Sequence, residues 1–368
     1  MMKVQCRLAR LLQEHDLDYR GVVGDIAAAT KVTRQTVARL LRGDGTSLSL
    51  PMLGDLSQWL IDKGVPAETL PQNLIGPDAI WDHVRAAKRI AICLGEYEPE
   101  DPRRLARSMV ARRDAEVATS LIRKLAHYRI LMAKELFIHY VPFQYANPTG
   151  TSVRLKDRTN AHRLFEEMRL WQDSKQEPTV VFLVGSQKCN LLVEEMVASH
   201  FRCHPYVPAS ARRAVPLYLS YRQGDPPLDS CFGGTGHPSG ASGKREPGIY
   251  YRSGDDWVCC PYKDGASDAG VVIVAQHPLS RSLEIGIFGF SSVGTSAVGK
   301  YFLGHSDEFW PPNAELNGRH VGAYVCRFRY VEEGQDPECR VFTVSKKDLE
   351  VVGRSDRRAP KTRQRSRR

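Results

Sequence analysis

Two short apolar runs, "RIAICLG" at 89–95 and "TVVFLVG" at 179–185, constrain this chain more than any other feature. After its first residue each runs without a polar side chain to a closing glycine, the pattern of a strand buried on both faces. Such a strand needs helices above and below the sheet, and the intervening sequence supplies them. The periodic stretch "RRLARSMVARRDAEVATSLIRKLA" reads as a helix and "LFIHYVPF" as a strand, while "TNAHRLFEEMRLWQ" and "LLVEEMVASHF" read as further helices. Strand signals return in "AVPLYLSYR", "GVVIVAQ", "LEIGIFGF" and "HVGAYVCRFRYV". The alternation predicts βαβ units, and hence a Rossmann-like α/β domain over 73–345 with a mainly parallel sheet and antiparallel additions toward its C-terminus.

In a sheet of this kind ligands lie beyond the carboxyl ends of the strands, where the chain order reverses. Three loops qualify: Gly95-Glu96, "GSQKCN" after 184, and "GFSSVGTS" at 289–296. In the second, Gly185 permits a tight turn and Ser186 offers a hydroxyl. Asn190 either caps the next helix or joins its first amides around an anion, and Glu194 lies one turn further in. The third loop offers Gly289, Gly294 and Thr295. Its "GTSAVGK" (294–300) has P-loop spacing, but Tyr301 stands where a Ser or Thr would hold magnesium, so capping by Thr295 or Ser296 is the expected role. The candidate ligand residues are therefore Gly185, Ser186, Asn190, Glu194, Gly289, Gly294 and Thr295, for a nucleotide or another phosphorylated small molecule. No GxSxG or HExxH occurs, and the sequence does not position the acids Glu194, Glu195, Asp255 and Asp256, so no catalytic residue is assigned. The Gly-, Pro- and Ser-rich stretch 222–257 reads as a long loop, either a lid over the crevice or disordered.

The first 72 residues have a different character. Leu8, Leu11 and Leu12 form one helical stripe. A second helix starts near Gly24-Asp25 and carries Ile26, Ala27 and Ala28. After the break "TKVT", Thr33 reads as the N-cap of a third helix that runs to Leu41, with Gly43 as its stop. A fourth, "LPMLGDLSQWLIDKG", brings Leu53, Leu56, Trp59 and Leu60. On the third helix Val37, Leu40 and Leu41 face inward, whereas Thr33, Arg34, Gln35 and Arg39 face out, and 31–42 holds four basic residues and no acid.

These residues resemble the helix-turn-helix of the Cro/repressor (Xre) family, through small Ala27 where two helices approach and the apolar set Ile26, Val32, Val37 and Leu40. Lys31 occupies the turn position where that family often has Gly, a departure that requires a positive φ at Lys31. The resemblance covers about a fifth of the chain. It implies double-stranded DNA as partner, a homodimer, and Thr33, Arg34, Gln35, Thr36, Arg39 and Arg42 as DNA-binding residues. Arg and Gln suit bidentate contacts with guanine and adenine, and Arg42 is placed for the phosphate backbone. The expected fold class is thus α plus α/β: a small all-α helix-turn-helix domain over 1–72, then the Rossmann-like domain.

The formal charge of +10 is concentrated at one end. Residues 354–368 hold eight basic residues against one acid, so 346–368 reads as a basic disordered tail that either touches phosphate or stays solvated. Nine cysteines without a CxxC pair argue for reduced, packed thiols, and no Cys or His spacing suits a metal. There is no apolar run long enough for a membrane span, and "MMKVQCRLARLLQEHD" reads as an acid-bearing amphipathic helix rather than a signal peptide, so the cytoplasm is expected. The functional expectation is a transcriptional regulator whose α/β domain senses a small-molecule effector or mediates dimerisation. The alternative is a nucleotide- or nucleoside-processing enzyme that carries a helix-turn-helix module.

Overall fold

In a computed structural model the described residues are 5–6, 8, 12, 17, 19–41, 49–65, 67, 75–76, 79–97, 109–127, 135–144, 153–173, 177–208, 215–222, 225, 229–238, 241, 243–330 and 336–355. The chain divides into two compact units, 1–82 with 305–310, and 83–304 with 311–368. The boundary therefore falls about ten residues later than the change of pattern at 72–73 suggests.

The first unit contains the short pair β1 (Gln5–Cys6) and β2 (Ile75–Gly76) and the helices α1 (Val22–Thr30), α2 (Arg34–Leu41) and α3 (Leu50–Asp62). The last begins with Ser49 as cap, its Oγ accepting from Met52 N at 3.4 Å, and with Pro51 where a helix needs no donor. Leu8, Leu12, Val22, Ile26, Val37, Leu40, Leu56, Trp59, Leu60 and Val65 form its core. Helix α4 (Ala79–Ala86) spans the boundary between the units.

The second unit is an α/β fold built on a nine-stranded sheet. Its first members are β3 (Arg89–Tyr97), β4 (Met109–Val110), helix α5 (Arg112–His127), β5 (Glu135–Phe143), helix α6 (Leu155–Asp173), β6 (Thr179–Val184) and helix α7 (Leu191–Phe201). A smaller sheet contains β7 (Leu217–Ser220), β8 (Gly233–Gly234), β9 (Gly248–Ser253) and β10 (Asp256–Pro261). The chain then adds β11 (Ser267–Gln276), β12 (Leu283–Gly289), helix α8 (Ser292–Gly304), β13 (Ala314–Leu316), β14 (Arg319–Arg329), β15 (Glu338–Thr343) and helix α9 (Lys346–Ser355).

The large sheet is mixed rather than mainly parallel. Strands β5, β3, β6 and β12 lie side by side in parallel, whereas β12, β11 and β14 are antiparallel and β14 carries β13 and β15. Only six residues, 277–282, join β11 to β12, too few for the crossover that a parallel pair needs. Helices cover both faces. Cys93, Val181 and Leu183 pack with Met168 of α6 and Met196 of α7. On the other face α5 and α8 approach so closely that a Cβ at Gly299 would lie 2.6 Å from Val117 Cγ2.

Three further expectations change. The helix expected from about 103 begins at Arg112, preceded by β4. The stretch 222–257 is not one loop: it supplies β8, β9 and the start of β10, with Phe232 and Ile249 in the core, because its Gly and Pro residues mask an apolar run between them. The tail expected from 346 begins as α9, whose Leu349 is buried in the main core; residues 356–368 lie outside the described residues.

At the amino edge of the sheet Glu284, at the start of β12, is held by His200 Nε2 at 2.6 Å and Arg319 Nη1 at 3.3 Å. Arg319 also donates to Gln172 Oε1 at 2.9 Å and Asp173 Oδ1 at 3.2 Å.

Candidate functional site

Two surfaces carry the sequence-predicted residues, one in each unit. In the first, α1 ends on Thr30, whose hydroxyl donates to Ile26 O at 2.7 Å, and the chain turns through Lys31 at φ 54° and ψ 25°. That left-handed conformation is what a non-glycine residue in this tight turn must adopt. Thr33 caps α2, accepting from Thr36 N at 3.2 Å, and the two hydroxyls lie 3.0 Å apart. Both threonines are thereby engaged in starting the helix. Val37 and Leu40 are buried, while Arg34, Gln35 and Arg39 are exposed. Arg34 lies along α1, its guanidinium 3.4 Å from where a Gly24 Cβ would be. Arg42 and Gly43 lie outside the described residues.

In the second unit, the carboxyl ends of β3, β6 and β12 meet the loops expected to hold a ligand. The crossover from β3 leads to β5 on one side, while β6 and β12 lie on the other, so the order reverses between β3 and β6. The loop after β6 folds over the end of β3: a Cβ at Gly95 would fall 1.2 Å from Cys189 O. Gly185 turns at φ +104°, and Ser186 O accepts from Cys189 N at 2.8 Å and Asn190 N at 2.7 Å.

Asn190 takes the capping role. Its Oδ1 accepts from Leu192 N at 3.1 Å, and its Nδ2 donates to Cys93 O and Val184 O, each at 2.9 Å. Every polar atom of that side chain is used within the fold. Glu194 is spent in the same way, accepting from Tyr206 N at 2.9 Å, Ser230 Oγ at 2.7 Å and Cys231 N at 2.5 Å. Burial pushes its carboxyl up, against the pull of these donors.

The loop after β12 also closes on itself. Gly289 and Gly294 sit where a Cβ would strike backbone: Thr295 N at 2.1 Å and Ala269 O at 2.7 Å, respectively. Thr295 Oγ1 accepts from Gly289 N at 2.9 Å and donates to Ser291 O at 3.2 Å. The place at the α8 N-terminus that a phosphate would fill is held by Asp268. Its carboxylate accepts from Ala269 N at 2.7 Å and from the Ser291 hydroxyl, which itself accepts from Val293 N at 3.1 Å and Gly294 N at 3.2 Å at the start of α8. With those amides taken by Ser291 and a buried carboxylate beside it, a second anion is excluded from this helix end. Gly289, Gly294 and Thr295 therefore shape the fold and do not line an open anion site.

What remains is a group that sequence reasoning passed over. Asp114, in the first turn of α5, is 2% exposed, and its Oδ2 has no hydrogen-bond partner among the described residues. That oxygen lies 2.4 Å from where a Gly185 Cβ would be, so only glycine fits there. Burial raises the Asp114 carboxyl to about 6. Half-buried Cys189 lies within its field; burial and then Asp114 push that thiol up to about 11, which keeps it protonated at neutral pH. On the far side of the same loop Lys188 pairs with Asp225 at 3.1 Å and stands 3.9 Å from the centre of the Tyr221 ring. Gln187 donates to the Tyr221 hydroxyl, and its Oε1 has no partner among the described residues. No group of His, Cys, Asp and Glu suited to a metal occurs among the described residues.

Comparison with protein-family models, curated proteins and solved structures finds no match to this chain. Among the described residues no helix is long and apolar enough to cross a membrane.

Proposed function

We propose that this chain is a DNA-binding regulator, in which α2 reads double-stranded DNA and the α/β unit responds to a small-molecule effector. The observation that carries the reading is the division of α2 into two faces. Val37 and Leu40 anchor it in the helical core, while Arg34, Gln35 and Arg39 project from a surface without an acid on that helix. Exposed Arg and Gln are the side chains that hydrogen-bond guanine and adenine bidentately in a major groove. The left-handed turn at Lys31 supports the reading by joining α1 to α2 without a longer loop. One such helix reads only a half-site, so a homodimer on a two-fold operator is expected.

Selection of duplex DNA by the full chain tests this. A defined sequence should emerge, and Arg39→Ala and Gln35→Ala should each weaken its binding by about 1–3 kcal/mol while random duplex is little affected. Equal losses on both DNAs would reduce these residues to phosphate contacts. No sequence preference at any salt concentration would remove the reading.

One observation favours a second reading, a nucleoside- or nucleotide-processing enzyme. A buried carboxyl that titrates at about 6, with an oxygen lacking a partner among the described residues, suits a general acid or base near neutral pH. Product formation from ribonucleosides or nucleotides by the full chain, lost in Asp114→Asn, would establish it; no turnover across the panel removes it.

A further inference from the structure

We propose that Cys203 and Cys231 form a reversible disulfide when the protein meets a hydroperoxide, so that the α/β unit carries an oxidation site. The inference is independent of the DNA reading, which rests on α2.

Three observations converge. First, the fold ties the two cysteine-bearing segments together. Cys203 follows the left-handed cap of α7, its N donating to Ala198 O at 3.0 Å, and Cys231 lies just before β8. Glu194 Oε1 accepts from Tyr206 N at 2.9 Å and from Cys231 N at 2.5 Å, and Ser230 N donates to Val207 O at 2.9 Å. Secondly, both cysteines are reduced and pack in one hydrophobic cluster, where the Cys203 thiol is a side-chain partner of the Cys231 thiol. Neighbouring backbones and neighbouring sulfurs are what a disulfide needs if the main chain is not to move. Thirdly, the two differ in access: Cys203 is half-buried and Cys231 is buried.

That difference divides the roles. Cys203 is the thiol that an oxidant reaches. As thiolate its sulfur attacks a peroxide oxygen; the S–O bond forms, the O–O bond breaks, and the other oxygen leaves as water or alcohol, giving a sulfenic acid. Cys231 waits, because burial and then Cys203 and Glu194 push its thiol up and keep it protonated. Its sulfur then attacks the Cys203 sulfur, so that the S–S bond forms and the S–O bond breaks. The hydroxyl departs as water with the Cys231 proton, which passes through the Glu194 carboxylate that this thiol contacts. The two thiols give up two electrons, and one peroxide is reduced.

The test treats the folded full chain with hydrogen peroxide, blocks remaining thiols by alkylation, digests with trypsin without reductant and maps the peptides by mass spectrometry. Peptides 203–212 and 223–244 each hold one cysteine. They should appear joined, from a monomeric chain, lighter than their sum by the two thiol hydrogens, and should separate in dithiothreitol. Alkylation of both cysteines should fall together by roughly tenfold or more. Cys231→Ser should instead hold a sulfenic acid on Cys203 that dimedone traps. Oxidation should raise the thermal transition, and reduction should return it, because the bond closes a loop of the unfolded chain. Absence of the joined peptide, a link formed only between two chains, pairing of Cys203 with another cysteine, or a lowered thermal transition overturns the proposal. The peptide map uses the wild type, so it decides even if the variant does not fold. DNA selection is a separate measurement, and failure here leaves that reading standing.

Discussion

The two edges of the large sheet each bury a carboxylate, and they treat it in opposite ways. At the amino edge burial pushes Glu284 up, but the charges of His200 and Arg319 outweigh it and hold the carboxyl below its usual range. At the carboxyl edge burial acts on Asp114 with no such compensation, and its carboxyl rises to about 6. The depth is the same, at about 2% exposure for each. The difference lies in partners: one carboxylate is paired with two basic side chains, and the other keeps an oxygen without a partner among the described residues. Paired charges hold layers together, whereas a buried acceptor left without a partner costs stability.

The contrast can be broken most severely at the closed edge. Glu284→Ala leaves His200 and Arg319 buried without their shared acceptor and should cost about 3–5 kcal/mol in denaturant unfolding. Because the native carboxyl is depressed, its contribution is present above the unfolded value of about 4 and is lost as pH falls through the lower folded value. The wild type should therefore lose stability on acidification in that window, with the variant responding less. An unchanged unfolding midpoint would show that the network does not hold this edge.

At the open edge the sign reverses. A raised carboxyl favours its protonated form, so the Asp114 contribution is present below about 4 and is lost as pH rises through about 6. Asp114→Asn should be more stable than the wild type by about 1–3 kcal/mol near pH 8, with the gain vanishing near pH 4. Thermal melts at the two pH values measure it, and a loss of stability at both would mean that Asp114 has a structural partner.

The smallest effect probes the intermediate case. Ser291→Ala removes one donor from Asp268 and should cost about 1 kcal/mol while moving its carboxyl further up, toward the behaviour of Asp114. NMR titration of the Asp268 carboxyl reads the shift. No movement would show that the Ala269 amide suffices.

Much of the scaffold was legible because full burial leaves a direct trace. Strand β6 has no exposed residue, and its run of apolar side chains says so; Asn190 before an apolar helix reads as a cap and is one. The mixed sheet was less legible, although the short link 277–282 carries the signal that β11 and β12 form an antiparallel pair. The candidate site was hardly legible. Asp114 looks like any acid in the first turn of a helix, a common and favourable position. Its burial depends on Gly185, which approaches it only through the fold. Asp268 gives no local sign that it fills the helix end which a near-P-loop spacing suggests for phosphate. Gly185 and Ser186 form the turn after β6, while Glu194, one turn on, points into the core.

The crossing of Cys189 O over Gly95 has a consequence for how such a protein diversifies. Where two stretches of main chain touch with no room for a methyl group, amino-acid replacement has nothing to alter. Descendants of this chain can vary here only at neighbouring positions such as Ser186, Lys188 or Glu96. The crossing itself would persist as an inherited shape long after the side chains around it had drifted.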